Sequence, residues 1–193
     1  MNSKSIDYKN IYFPPGGILL WIIIFLELFT FGIALIAMVV NSNQDPEIFH
    51  VSRLQLSPAI GTINTFFLIT SGYFMARSVS HLKNDEKDRS ALFLKLSILG
   101  GLLFLVLKSV EYYFKIEAGL TVGYNTFFTF YWMLTLFHVI HVIVGLVLLV
   151  SVLFGLRKET PTVSIEDMEA SAAFWHMCDL IWLLLFPVIY LLF

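Results

Sequence analysis

The sequence predicts an all-α membrane protein: a bundle of five transmembrane helices, with the N-terminus cytoplasmic and the C-terminus outside. Three observations predict it. Hydrophobic residues make up 58% of the 193 residues and charged residues only 13%, about half the charge of a soluble domain. Five apolar stretches each reach the roughly 20 residues that a crossing needs, and helix is the conformation that satisfies the backbone of a single crossing in lipid. Lys and Arg gather in the loops of one side, which orients the bundle. The composition also excludes other classes. With 12 Lys and Arg against 14 Asp and Glu there is no basic excess, so nucleic acid is not expected as a partner. The single cysteine, Cys178, excludes an internal disulfide framework and any multi-cysteine metal site.

The expected spans are about 17–40, 58–82, 91–114, 124–156 and 168–193, together one transmembrane domain covering 1–193. The polar start Met1 to Asn10 and the long first apolar run speak against a cleavable signal. Pro14-Pro15-Gly16-Gly17 sets the entry to the first span, because prolines and glycines in series do not continue a helix inward. Asn41 to Pro46 stops that span, and Ser57-Pro58 reads as an N-cap followed by a first-turn proline. Lys83 to Arg89 is a charged hairpin loop, and Gly119 to Gly123 a tight link. The fourth span is longer than a bilayer requires, so it tilts or projects. Thr160-Pro161 ends it, and Ser164 to Glu169 is a solvated, acidic start for the fifth span.

Lys4, Lys9, Arg77, Lys83, Lys87, Arg89, Arg157 and Lys158 fall on the side of the N-terminus, against Arg53 and Lys115 on the other. Lys95 and Lys108 lie near the two ends of the third span, where their stems can snorkel. The informative residues are the polar ones within spans. Glu27 lies about 15 Å into the first span at ~1.5 Å per residue, where a lone carboxylate costs at least ~2.5 kcal/mol. Its candidate partners are histidine and Thr30. The second span carries Asn64, Thr65, Thr70 and Ser71-Gly72, which suit close helix packing. Glu111 stands with Tyr112 and Tyr113 at the end of the third span. His138 and His141 share a face of the fourth, and His176 and Asp179 a face of the fifth. Glu27, His176 and Asp179 fall at one depth. The His138/His141 face lies further out unless the fourth span projects well beyond the membrane. A buried hydrogen-bond network, a proton relay, and a metal or haem site all remain open from spacing alone.

These residues carry a resemblance. Leu20-Trp21-Ile22-Ile23-Ile24-Phe25-Leu26-Glu27 resembles the apolar helix with a buried glutamate of subunit III of the haem–copper terminal oxidases. The stretch from Ile63 to Gly72 resembles that family's N-T-x-x-L-L-x-S-G helix, and Gly101 to Tyr113 its G-x-x-F…E-Y segment. His138-Val139-Ile140-His141-Val142-Ile143-Val144-Gly145 resembles H-G-x-H-V-x-x-G, and Phe174 to Trp182 resembles Y-W-H-F-V-D-x-x-W. Val139 stands where the family usually has Gly, Phe174 where it has Tyr, and Ser80-His81 where classical members have a His pair. The C-terminal run Leu184 to Tyr190 and the entry Phe130 to Thr135 are closer to a branch that includes accessory proteins encoded with bacterial nitric oxide reductases.

The resemblance implies the five-span form of a non-catalytic subunit. It would pack on catalytic subunit I beside other oxidase subunits and membrane phospholipids, in the inner membrane of a bacterium, and support proton uptake and turnover stability. It implies no cofactor in this chain, haem and copper belonging to the catalytic subunit. An accessory subunit of a nitric oxide reductase and a haem- or metal-binding membrane enzyme are the alternatives. Glu27, Asn64, Glu111, His138, His141, His176 and Asp179 are then members of a buried polar network. In it His138 and His141 dock the fourth span on the first, and His176 and Asp179 pair.

Overall fold

A computed structural model describes residues 16–157 and 163–193. Met1 to Asn10, Pro14-Pro15, Lys158 and Thr160-Pro161 lie outside the described residues. Among the described residues six helices follow in order: α1 (Gly17–Ser42), α2 (Pro46–Leu54), α3 (Pro58–Lys83), α4 (Lys87–Glu117), α5 (Thr126–Leu156) and α6 (Ile165–Tyr190). No strand occurs among the described residues. All but α2 are long and apolar enough to cross a membrane. At 26 to 31 residues they measure about 39–47 Å at 1.5 Å per residue. That exceeds a hydrocarbon core of about 30 Å, so the helices tilt or project.

The helices run up and down. The bundle therefore has one end where α1 and α6 begin and α3 turns into α4, and an opposite end carrying α2. Gly16, at φ 80°, brings the start of α1 onto α6: a Cβ there would stand 2.9 Å from that of Ala170. At the same end, Ser164 and Asp167 form a reciprocal capping box on α6. Glu169, expected on a solvated helix start, is instead buried and paired with Lys83 at 2.6 Å. The pair fastens the end of α3 to the first turn of α6. In the α3–α4 turn, His81 lies 2.6 Å from Glu86 and stacks on Phe93. The His81 hydrogen bond holds the Glu86 carboxyl below its ordinary range.

Helix α2 is not among the expected elements. Pro46 occupies its first turn, Glu47 and Arg53 suit its two ends, and Phe49 is buried. The Phe49 ring packs edge-on against Phe127 of α5 and Phe193 beyond α6. Asn125, the N-cap of α5, accepts from the Phe128 amide at 2.8 Å and donates to Ser52 of α2 at 2.7 Å. Lys115 of α4 donates to the Gln55 carbonyl just after α2. The short helix thus closes the end of the bundle.

The most extensive helix contact is α3 on α4. Asn64, Leu68, Ser71, Met75, Ser78 and Leu82 are buried along α3; Ser90, Leu94, Ser97, Gly101, Phe104 and Lys108 are buried along α4. Both sets step by three and four residues, the pattern of a coiled-coil seam. Ser71 donates to the Ser97 carbonyl at 2.6 Å, and Ser78 to the Ser90 carbonyl at 2.7 Å. Small residues at that spacing bring the two backbones close. Trp175 of α6 joins the seam to the rest. Its indole N–H donates to Ser71 at 3.1 Å, and its ring fills the space over Gly101 of α4 and Gly145 of α5. Helix α1 is peripheral, packing on α5 and α6.

Candidate functional site: two buried polar clusters

Glu27 of α1 and His141 of α5 meet at 3.3 Å, both partly shielded. The two residues therefore share a depth. Helix α5 continues to Leu156, fifteen residues past His141, so it projects well beyond the level where Glu27 sits. His141 Nδ1 lies 2.8 Å from the Phe137 carbonyl. A carbonyl only accepts, so Nδ1 carries a hydrogen and Nε2 is the atom that faces the carboxyl. Turning the 3.3 Å approach into an aligned hydrogen bond takes one proton, held either by the carboxyl or by Nε2. Thr30 donates to its own helix, to the Leu26 carbonyl at 2.8 Å. It is therefore not Glu27's partner: a threonine hydroxyl in a helix reaches the carbonyl four residues back more readily than a side chain three residues away.

His138, one turn before His141, is fully buried. Its ring stacks on Trp182 at 5.3 Å and meets Phe104 edge-on at 5.7 Å. Neither ring nitrogen has a hydrogen-bond partner. Its contact with α1 is the edge of Phe31 at 6.5 Å. Of the two histidines expected to dock the fourth span on the first, His141 makes the polar contact and His138 an aromatic one.

On α6, His176 Nδ1 lies 3.4 Å from Asp179 Oδ2. A Cβ at Gly72 of α3 would stand 2.2 Å from that oxygen, so the absent side chain is what admits the carboxylate against α3. Asp179 Oδ1 has no partner. Asn64 is fully buried with neither amide atom paired. The seam register that matches Ser71 with Ser97 sets it level with Phe104. Among the described residues, no group of three or more His, Cys, Asp or Glu is placed to hold a metal ion.

The second cluster was not expected as a unit. Lys108 does not snorkel: it is 1% exposed and Glu111 is 2% exposed. Lys108 Nζ donates to Glu111 Oε2 at 3.0 Å, Tyr190 at 2.7 Å and Tyr131 at 3.3 Å. The two tyrosine hydroxyls donate in turn to Glu111 Oε1, at 2.9 Å from Tyr131 and 2.7 Å from Tyr190. An ammonium has three donors, and all three are used. The rings of Tyr112, Tyr131, Trp182 and Tyr190 surround the charge at 4.9–5.3 Å. Lys108 stays inside because it continues the α4 stripe of Ser97, Gly101 and Phe104, which faces the other helices. Glu117 ends the helix nine residues later, so the ammonium lies about 13 Å short of that end. The sequence signal was present: a Lys and a Glu three apart, on the stripe already marked by small residues.

The chain's residues 4–192 match the family model described as cytochrome c oxidase subunit III. It belongs to this family. Both clusters lie within the matched segment. Among curated relatives, the subunit III chain is 33% identical over 132 residues to cytochrome c oxidase subunit 3 of Synechocystis, covering 67% of this chain and 55% of that one. It is 26% identical over 193 residues to cytochrome bo(3) ubiquinol oxidase subunit 3 of Buchnera aphidicola, covering 99% of this chain and 93% of that one. Cytochrome c oxidase subunit 3 of Danio rerio is 33% identical over 133 residues, 66% of this chain and 48% of that one. The chain thus spans about half the length of several relatives, and nearly all of the Buchnera protein.

Proposed function

We propose that this chain is the non-catalytic subunit III of a respiratory haem–copper oxidase. It packs on catalytic subunit I and supports proton uptake and turnover stability in electron transport. The observation that carries the reading is the family match across residues 4–192. The relatives named as oxidase subunits on both the cytochrome c and the ubiquinol side support it. In this reading haem and copper reside in the partner and supply the redox chemistry there. This chain contributes its helix faces, its polar groups Glu27, Asn64, Glu111, His138, His141 and Asp179 within the bundle, and His176, which was expected to be buried but is 45% exposed. The bacterial inner membrane is the proposed location, with the loops rich in Lys and Arg on the cytoplasmic side and phospholipids around the apolar faces.

The test is purification of the tagged chain from its native membrane in mild detergent. The expected result is co-purification of a haem- and copper-containing core that consumes oxygen. Recovery of a copper-free nitric oxide reductase, or of a haem band that belongs to this chain alone, would overturn the reading.

A further inference from the structure

Helix α6 is not covered all round. One face lies on α3, where Asp179 meets Gly72 and Tyr190 meets Gly61. The opposite side receives α1, where Gly16 meets Ala170. Between them runs a stripe in which His176, Leu180, Leu183 and Leu184 recur at helical spacing. The three leucines are 42–45% exposed, and the His176 side chain is 45% exposed. This stripe lies at the depth of the bilayer: His176 stands eleven residues into a 26-residue helix, about 16 Å from its start. Acyl chains offer an imidazole nothing to bond, and a polar side chain at that depth faces protein or water rather than lipid. The other mid-span groups are better screened, with Glu27 20% and His141 12% exposed.

The ring's orientation states what chemistry is missing. Nδ1 faces the Asp179 carboxylate at 3.4 Å; a carboxylate only accepts, so a hydrogen bond there uses a hydrogen on Nδ1. With that hydrogen on Nδ1, Nε2 across the ring is left as an acceptor.

We propose that the α6 stripe between α1 and α3 is a docking surface for a transmembrane helix of a different chain. That helix places an O–H or N–H donor (Ser, Thr, Tyr, Asn, Gln or Trp) against His176 at mid-membrane, and lays an apolar face on Leu180 and Leu184. The proposal rests on the reading of this chain as a subunit of a larger complex, and specifies which face is engaged and by what chemistry.

The test uses the full chain in its native membrane, with the photo-reactive residue p-benzoylphenylalanine in place of Leu180. Cross-linked peptides are identified by mass spectrometry. The expected product is a transmembrane peptide of another chain carrying such a donor within one turn of the linked residue. His176→Leu in the same chain lowers the yield at least threefold, and His176→Gln, which keeps an acceptor, retains it. Lipid adducts alone, a peptide of this same chain, a linked peptide without a donor, or a yield indifferent to His176→Leu each overturn the proposal. Co-purification of the oxidase core is scored on the same preparation. If the core co-purifies but Leu180 captures only lipid, the docking surface fails and the subunit assignment stands. If a donor-bearing helix is captured without any oxidase core, the reverse holds.

Discussion

Breaking the Lys108–Glu111 pair tests whether this cluster holds the α2 end of the bundle together. Lys108→Met leaves Glu111 as a buried carboxylate, with only the Tyr131 and Tyr190 hydroxyls on one oxygen. Glu111→Gln leaves a buried ammonium with no counter-charge among four aromatic rings. Removing one partner of a buried ion pair costs about 3–5 kcal/mol, because the other charge stays desolvated. For a chain of this size about 1 kcal/mol moves the melting temperature by roughly 2–4 °C, so each single variant should lose about 6–20 °C. The double variant Lys108→Met/Glu111→Gln carries no charge, and its amide oxygen still accepts from the tyrosines. Neutral replacement of a buried pair is often close to neutral in stability, so the double variant should recover at least half of the single-variant loss. The assay is thermal unfolding of the purified chain in detergent, followed by tryptophan fluorescence, with Trp182 beside Lys108 as a local reporter. Singles that melt within about 2 °C of the parent, or a double as damaged as the worse single, would refute the reasoning.

Three further outcomes follow from particular contacts. Gly72→Ala puts a Cβ 2.2 Å from Asp179 Oδ2, whereas a Cβ at Gly32 meets nothing within 4 Å; in thermal melts the first should destabilise, and Gly32→Ala should gain up to ~1 kcal/mol of helix propensity. Glu27→Ala removes the α1 partner of His141, and should weaken retention of this chain by its complex during detergent washing while leaving the haem spectrum of the complex unchanged. The Glu86 carboxyl is held below its ordinary range by the His81 hydrogen bond, so the ionised carboxylate supports the α3–α4 turn above the ordinary glutamate pKa of about 4.3 and loses that support as pH falls through the lowered native value. Limited proteolysis of the turn across that acid window should show a pH-dependent onset in the parent and none in Glu86→Gln.

The crossing helices were legible because each is a long apolar run bounded by residues with a defined stop or start chemistry, such as Ser57-Pro58 before α3. Helix α2 escaped because Pro46 serves two readings, as the end of one helix and the first turn of another. Only the pocket between Phe127 and Phe193 decides for the second. Glu27, His141, His176 and Asp179 were legible as costly residues in lipid, and the shared face of His176 and Asp179 gave their approach, but the depth count placed His141 further out than Glu27, because α5 projects past the level where the two meet. Lys108 was misread because a lysine near a span end normally snorkels; its direction is set by the three-four stripe of α4, which a count of distance from the helix end ignores. Glu169 was misread for a related reason. Its cation, Lys83, is 86 residues away in the chain and reaches it only because α3 ends where α6 begins.

The two clusters differ in how fully their bonding capacity is used, and this separates their roles. Around Lys108 every ammonium donor and the Tyr131 and Tyr190 hydroxyls are engaged, while the buried Tyr112 hydroxyl beside them has no aligned partner. Moving a proton there would break bonds already made, so the cluster acts as a fastening of α4, α5 and α6. On α1, α5 and α6, Glu27 Oε2, Asp179 Oδ1 and both nitrogens of His138 have no aligned partner, and on α3, level with Phe104, both amide atoms of Asn64 have none. Each buried group left so costs about 1–3 kcal/mol, a burden that close packing alone gives no reason to carry. The Glu27–His141 approach can take up one proton without dismantling any existing bond. The two sets of variants should accordingly separate: those at Lys108 and Glu111 alter melting, and those at Glu27 and His141 alter association with the complex.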